Sequence, residues 1–256
     1  MSCLWTIANL ACNTDNMIMM KCIPGLINAL VDVGYRQCEN SDSLERTMEI
    51  LRARSIASRA LLNLSWPPEN KIGMSQDVGI VRVLCQMATH RTPPFSKSRT
   101  MQGIITQTRR HSLGAIRNLA AAPWRSKIGL CEYDGSRLLD TLTDAALNDS
   151  DEKVVELSFA AIHNLAIHDT AKMIVSRPAL LSALKNTLLA EEAKNGGKNS
   201  SRGHASSTLL VLERSITPDM PLYENLRALL DAVNPSFVQA KTNPNNSETI
   251  LNTAAV

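Results

Sequence analysis

One short phrase occurs four times in this sequence: a small residue, several apolar residues, then Asn-Leu and another small residue. The four copies cover residues 3–11, 57–65, 112–120 and 158–166. Successive asparagines lie 54, 55 and 46 residues apart, and the same register continues to Val211, where the asparagine is lost. Repetition at this spacing is typical of a solenoid, in which each unit buries its apolar face against its neighbours. The sequence therefore predicts one all-α array whose long surface is suited to binding.

The spacing within the phrase predicts a helix with one buried stripe. An Ile or Leu stands two residues before each asparagine, and a Leu follows it directly, so these side chains share a helical face. Three and six residues before the asparagine the side chain is small, as in Ala60 and Ala115, which predicts close approach of a neighbouring helix. Asparagine is a poor residue for a helix interior. Its recurrence suggests a positional role, either holding the peptide group of another chain or tying two helices together.

The segments between copies follow one plan of a short, a medium and a long helix. This plan predicts an array over residues 1–233 with about four to five units, the first incomplete, and longer insertions near 34–44, 90–107 and 191–207. Residues 234–256, rich in Asn and Pro, are predicted to form a disordered tail. Because Met1 opens almost directly onto a long helix, the apolar N-terminal edge is expected to pack on a missing repeat of a longer array or on a partner.

At these residues the chain resembles the armadillo-repeat family, which includes beta-catenin and importin-alpha. The resemblance is carried by the four Asn-Leu phrases, by Glu69-Asn70-Lys71-Ile72 and by the stretch 23–27, and it covers roughly residues 1–215. It implies a right-handed superhelix in which the third helix of each unit lines a concave groove. It also implies that the groove asparagines Asn9, Asn63, Asn118 and Asn164 hold the backbone of an extended peptide.

Composition excludes several other classes of protein. Only 4% of the 256 residues are aromatic, which argues against a β-sandwich or barrel. The net charge of +3 is too mild to indicate a nucleic-acid binder, and no apolar run is long enough for membrane insertion. The six cysteines form no CxxC pair, as expected of reduced thiols in a cytoplasmic or nuclear protein.

The candidate catalytic groups are scattered along the sequence. The five histidines show no metal-ligand spacing with cysteines or carboxylates, so neither a metal site nor any cofactor is expected. The acidic run 149–152 precedes a repeat phrase, where acidic and cap residues belong at a helix N-terminus. No phosphate-binding loop or nucleophile elbow occurs. The sequence therefore predicts no enzymatic activity.

The residues expected to face the groove carry positive charge. On a helical wheel the asparagine face also presents Trp5, Arg59, His111, Arg117, Lys153 and His163. The predicted function is a protein-interaction scaffold that binds an extended acidic or phosphorylated segment in a basic groove. Two alternatives remain: a transport adaptor for basic signals, which the family resemblance suggests because Trp5 and Asn9 keep the importin-alpha Trp-Asn pair, and a nucleic-acid-binding solenoid.

Overall fold

A computed structural model describes residues 2–39, 43–91, 98–190 and 200–241, with side chains described as far as 233. Helices and their connections account for these residues, and no strand occurs among them. The helices are α1 (Ser2–Leu10), α2 (Thr14–Lys21), α3 (Leu26–Tyr35), α4 (Leu44–Leu64), α5 (Pro68–Gln76), α6 (Val78–Ala88), α7 (Arg99–Ala120), α8 (Trp124–Asn148), α9 (Glu152–Leu165), α10 (His168–Val175), α11 (Pro178–Leu189), α12 (Ser200–Ser215) and α13 (Tyr223–Lys241).

The helices stack in three rows that follow the predicted plan of the units. The third helices α1, α4, α7, α9 and α12 contact one another in that order, and each of the first four carries one copy of the phrase. The short helices α2, α5, α8 and α10 form a second row, and α3, α6, α8 and α11 a third. Helix α8 serves in both rows because its backbone leaves helical geometry at Tyr133–Ser136, where Asp134, Gly135 and Ser136 have positive φ. The all-α solenoid predicted from the repeat is confirmed.

The apolar stripe of the phrase forms the core of the array. The Ile or Leu before each asparagine and the Leu after it are at most 2% exposed in the second, third and fourth copies. In the first copy Ile7 is only partly buried and Leu10 is half exposed, because no described helix packs on the outer side of α1. In the other three copies, contact with the preceding unit buries this stripe.

Short polar side chains begin five of the helices. The side chains of Asn13, Ser43, Asp77, Ser98 and Asp151 each accept a hydrogen bond from a backbone N–H in the first turn of the helix that follows. Such caps satisfy N–H groups that have no partner within the helix. The acidic run before α9 thus supplies the predicted cap through Asp151. Asp149 in the same run has a buried side chain and pairs with Arg91 and Arg109.

Small residues let the third helices approach each other closely. Ala57, Ala60, Ala115 and Ala161 are fully buried. At Gly114 an added Cβ would lie 2.9 Å from Cδ1 of Leu62 on α4, closer than carbon atoms pack. The prediction of close approach is confirmed at these positions.

The boundaries of the insertions and of the array differ from the sequence expectation. Helix α7 begins at Arg99 and α12 at Ser200, so the second half of the 90–107 insertion and residues 200–207 are helical. Both helices begin with polar residues, Arg99-Thr100 in α7 and Ser200-Ser201-Arg202 in α12, so no apolar periodicity marked their first turns. Helix α13 continues past the predicted end of the array at 233 as far as Lys241. Residues 40–42, 92–97, 191–199 and 242–256, which include parts of all three predicted insertions and most of the predicted tail, lie outside the described residues.

Candidate functional site

A groove runs along the third helices in the N-terminal half of the array. It has a volume of about 1560 Å³ and is bordered by residues of α1, α4 and α7. Its lining includes the apolar side chains of Met48, Ile56 and Ile104 and the polar side chains of Arg52, Arg59 and His111. The groove therefore brings together Trp5, Arg59 and His111, three of the residues predicted to form the site.

Trp5, Arg59 and Asn63 form one cluster with Cys12, which the sequence had not indicated. The Arg59 guanidinium lies 5.8 Å from the centre of the Trp5 ring and donates from Nη2 to Cys12 Sγ at 3.4 Å. Asn63 Nδ2 donates to the same sulfur at 3.4 Å, and the thiol donates to the Ala8 carbonyl at 3.3 Å. A cation over an indole face is a favourable contact. Arg59 is thereby held at the groove without a carboxylate partner among the described residues.

Asn118 and Asn164 tie neighbouring third helices together. Asn118 Nδ2 donates to the Leu62 carbonyl at 3.4 Å and to Ser65 Oγ at 3.1 Å, and Asn164 Nδ2 donates to the Arg117 carbonyl at 3.1 Å. Asn118 is buried, and its Oδ1 accepts from Arg117 Nη2 at 3.2 Å. The sequence allowed two roles for the repeated asparagine, a contact with a bound peptide or a tie between helices. The side-chain nitrogens of Asn63, Asn118 and Asn164 are used in contacts with the preceding unit. Asn9 is exposed, and its side chain makes no hydrogen bond within the described chain.

The oxygens of two asparagines keep the capacity to bind a partner. Asn63 and Asn164 are partly exposed, and their Oδ1 atoms accept no hydrogen bond from the described residues. Each nitrogen also has a second hydrogen, because a primary amide carries two. Asn9, Asn63 and Asn164 thus remain available to an extended backbone, whereas Asn118 is enclosed.

His111 contributes a neutral imidazole to the groove. Burial lowers its pKa, a hydrogen bond with the Ser55 backbone opposes this, and the charge of Arg59 lowers it further. His111 Nδ1 lies 3.4 Å from the Ser55 carbonyl, which can only accept, so Nδ1 carries the proton. Nε2, 2.9 Å from Gln107 Nε2, then accepts from that amide. The predicted positive charge at this position is therefore absent at neutral pH.

Arg117, Lys153 and His163 do not line this groove: Arg117 lies near the C-terminal end of α7, and the other two lie on α9. The His163 ring faces that of His204 on α12, with centres 5.9 Å apart. Burial, His204 and Lys127 lower the pKa of His163 to about 4, so it is neutral at pH 7. Lys153 pairs with Glu156 one turn later, at 2.7 Å from Nζ to both carboxylate oxygens. Among the predicted basic residues, only Arg59 and Arg117 present an uncompensated charge.

The sequence analysis did not assign several exposed or partly exposed side chains outside the groove lining to the site. Trp66 and Trp124 follow Asn63 and Asn118 at the starts of the next units and are more than half exposed. Lys71 follows Trp66, and Lys127 follows Trp124, by about one helical turn. His204 lies on α12, which does not carry the asparagine of the repeated phrase. Trp and Lys recur after two successive phrases, and this recurrence could have identified Trp66, Lys71, Trp124 and Lys127 from the sequence.

The described residues contain no group of three or more histidine, cysteine or acidic side chains that could hold a metal ion. All six cysteines are free thiols. No single helix among the described ones is long and apolar enough to cross a membrane, although α2 and α3 together meet that test as a pair bent by 90°.

Solved structures resemble this array over most of its length. An engineered protein of the Northeast Structural Genomics Consortium matches 91% of this chain and 89% of its own, with 16% identity and a TM-score of 0.58. A designed armadillo repeat protein in complex with the peptide (KR)4 matches 91% of this chain and 92% of its own, with 17% identity and a TM-score of 0.58. The sequence matches no protein-family model, and no curated protein is significantly similar to it. Together with the stacked three-helix units, these likenesses show that the chain has an armadillo-like repeat fold.

Proposed function

We propose that the chain is a non-catalytic scaffold that binds an extended protein segment with acidic or phosphorylated side chains along its third helices. The observation that supports this most strongly is the pair of arginines, Arg52 and Arg59, at the apolar groove. Neither has a carboxylate partner in the described chain. An extended acidic segment would place apolar side chains against Met48 and Ile104 and carboxylates against the guanidiniums.

A basic peptide is the alternative ligand, and the designed repeat protein shows that a related fold can be in complex with one. At 17% identity the side chains that would select the ligand are not shared, so the charge of this groove has to decide. Its carboxylates are Glu45 and Glu49, and Glu49 already pairs with Arg46 at 2.7 Å. The Trp5 face that could receive a lysine stem carries Arg59 instead. These contacts favour an acidic ligand.

Nucleic acid is the third candidate and has less support. The basic residues that could contact nucleic acid lie in the stretch 90–110 and near 194–202. In the structure Arg91, Arg109 and Arg110 are bound to Asp144, Asp149 or Asp151, so their charges are compensated within the fold. Lys194 and Lys198 lie outside the described residues.

A binding experiment with charge-matched peptides tests the proposal. Labelled peptides of equal length, one Glu-rich, one Lys-rich and one neutral, would be titrated with the full chain while fluorescence anisotropy is measured. We expect preference for the Glu-rich peptide and a loss of about tenfold or more in the double variant Arg52→Gln/Arg59→Gln, because each lost charged hydrogen bond costs about 1.5–3 kcal/mol. The control is Arg36→Gln, an exposed arginine just after α3 that removes the same charge outside the groove. Equal affinity for all three peptides, or tighter binding of the Lys-rich one, would overturn the proposed ligand class.

A further inference from the structure

Three charged side chains form a row along the wall that α4 contributes to the groove. Glu45, Arg52 and Arg59 all line the groove, and each of the two arginines follows the preceding member by seven residues. Seven residues make almost two full turns of an α-helix, so these positions lie on one nearly straight stripe, about 10.5 Å apart. The groove therefore presents one negative and two positive groups in a fixed order. These three residues are named here the charge row.

Each member of the charge row can pair with a ligand. Glu45 and Arg52 are exposed, and neither forms an ion pair with another described residue. Arg59 lies over the Trp5 ring at 5.8 Å and donates to Cys12 Sγ at 3.4 Å, which fixes the position of its guanidinium. A guanidinium has five N–H groups, so Arg59 keeps donors for a carboxylate.

The other groove residues do not change this order of charges. Arg46 and Glu49 pair with each other at 2.7 Å, so their charges are compensated. Helix α7 contributes Ile104, Gln107 and His111 to the lining, and burial lowers the pKa of His111, which is therefore neutral at pH 7. A ligand in the groove thus meets uncompensated charge on α4 and none on the α7 residues that line it.

The spacing of the charge row discriminates between two extended conformations of a ligand that lies parallel to α4. In polyproline II every third side chain points the same way, at intervals of about 9.3 Å, which is about 1.2 Å short of the row spacing. In a β-strand the side chains on one face recur about every 6.7 Å, so they miss the row spacing by about 3 Å or more. Because the mismatch grows over two steps, polyproline II fits the row better.

We infer that the groove binds a polyproline II segment whose charged side chains lie three residues apart in the order basic, acidic, acidic. The basic side chain pairs with Glu45, and the two acidic ones pair with Arg52 and Arg59. The segment can meet this order in either chain direction. The inference rests on the proposed function and deepens it, because it specifies the acidic extended segment by the order and spacing of its charges.

The first experiment tests the order of the charges by fluorescence anisotropy on the full chain. Three labelled peptides share one composition, with one lysine and two glutamates at three-residue intervals and proline at the intervening positions. Lysine stands first, last or between the glutamates. We expect one of the two peptides with lysine at an end to bind about tenfold more tightly than the third peptide, which places lysine against Arg52 and glutamate against Glu45. Equal affinities, or tightest binding of the peptide with the central lysine, would overturn the inference.

A charge reversal tests the central position of the row. In Arg52→Glu the row becomes negative, negative, positive. We expect this variant to prefer, by about tenfold, the parent's best peptide with its central glutamate replaced by lysine. Arg36→Glu is the matched control, because Arg36 is exposed, lies outside the groove and undergoes the same change of charge, and it should keep the parent's preference. An unchanged preference in Arg52→Glu would contradict the assignment of this position.

A second set of peptides tests the conformation of the ligand. Its glutamates stand three residues apart among prolines, two apart among valines or seven apart among alanines, which favour polyproline II, a strand and a helix respectively. Tightest binding of the proline peptide supports the inference, because that peptide already holds the bound conformation. Tightest binding of the valine or the alanine peptide would show a strand or a helix in the groove and would overturn it.

These results separate the inference from the proposed function. A preference for acidic peptides regardless of the order and spacing of their charges would leave the proposed function standing and overturn the inference. No preference for acidic over neutral or basic peptides would overturn both.

Discussion

Asn164 donates a hydrogen bond from its side-chain amide to the backbone carbonyl of Arg117, 3.1 Å away on the preceding third helix. Asn118 does the same to the carbonyl of Leu62. In both cases the acceptor stands one residue before the asparagine of the preceding unit, so a single register is transmitted along the row. Between α1 and α4 the corresponding carbonyl is that of Ala8, one residue before Asn9. Here Asn63 donates to the Cys12 thiol, and the thiol donates to the Ala8 carbonyl. The repeated asparagine is therefore part of the stack as well as a candidate contact for a ligand.

Substitution of Asn118 should destabilise the array more than substitution of Asn9. Asn118→Ala removes two hydrogen bonds that the buried amide donates to the Leu62 carbonyl and to Ser65 Oγ, so we expect a loss of about 1–3 kcal/mol. Asn9 is exposed and its side chain makes no hydrogen bond in the described chain, so Asn9→Ala should change stability by no more than about 0.5 kcal/mol. Urea unfolding followed by circular dichroism measures both. Equal effects would contradict the structural role of the tie.

Replacement of Gly114 by alanine should be less favourable for stability than the same replacement of Gly103 on the same helix. Gly103 has no atom within 4 Å of a built Cβ, so Gly103→Ala should stabilise α7 by about 0.5–1 kcal/mol through helix propensity. At Gly114 the same change places Cβ 2.9 Å from Leu62 Cδ1, and the strain should cancel or exceed this gain.

A double variant distinguishes strain at Leu62 from other causes. Shortening the neighbour with Leu62→Ala should remove the penalty of Gly114→Ala, giving a coupling of about 1 kcal/mol in a double-mutant cycle. Additive effects of the two substitutions would show that the two side chains do not compete for this space.

The fold could be predicted from the sequence because its signal is repeated. Stripes such as Ile116 with Leu119, and small residues such as Ala115, recur in several copies, so one phrase specified several helices at once. Helix starts were predicted less well where no repeated signal marked them, as at Arg99 and Ser200.

The candidate site was predicted only in part, because its properties depend on contacts between units. Sequence spacing placed Arg59 and His111 on the groove face, and both border the groove. It could not show that burial keeps His111 neutral or that Glu156 holds Lys153, since these effects depend on which side chains meet after folding. It also could not separate Asn118, which is enclosed, from Asn9, which is exposed.

Acidification should destabilise the fold through His163 before the carboxylates titrate. Its folded pKa, about 4, lies below the unfolded value of 6.5, so the unfolded chain binds more protons between these values. The stability contributed by the neutral imidazole is complete above pH 6.5 and is lost as the pH falls from 6.5 through 4. His163→Gln should reduce the pH dependence of the unfolding free energy by up to about 1.4 kcal/mol per pH unit in this window.

The measurement is urea unfolding at several pH values between 4 and 7 in buffers without phosphate. His90 provides an internal comparison, because burial, Arg54 and Arg109 also lower its pKa to about 4, and its contribution should persist in the His163 variant. Asp151, whose pKa the Arg110 hydrogen bond lowers, loses its contribution only below its ordinary value of 3.8. An unchanged slope in His163→Gln would mean that the pKa of this imidazole does not differ between the folded and the unfolded chain.

The six thiols should divide by reactivity according to burial. Burial raises the pKa of Cys85 to about 11 and that of Cys131 to about 12, so little of either is the reactive thiolate at pH 8. Cys3, Cys12 and Cys22 are exposed and should be alkylated by iodoacetamide first, as peptide mass spectrometry would show. Labelling of Cys85 as fast as Cys22 would contradict the packing of α6.

Alkylated Cys12 can no longer donate to Ala8, and its added group lies beside Arg59. Selective alkylation at Cys12 should therefore weaken binding of the Glu-rich peptide, whereas a Cys12→Ser variant treated in the same way should keep its affinity.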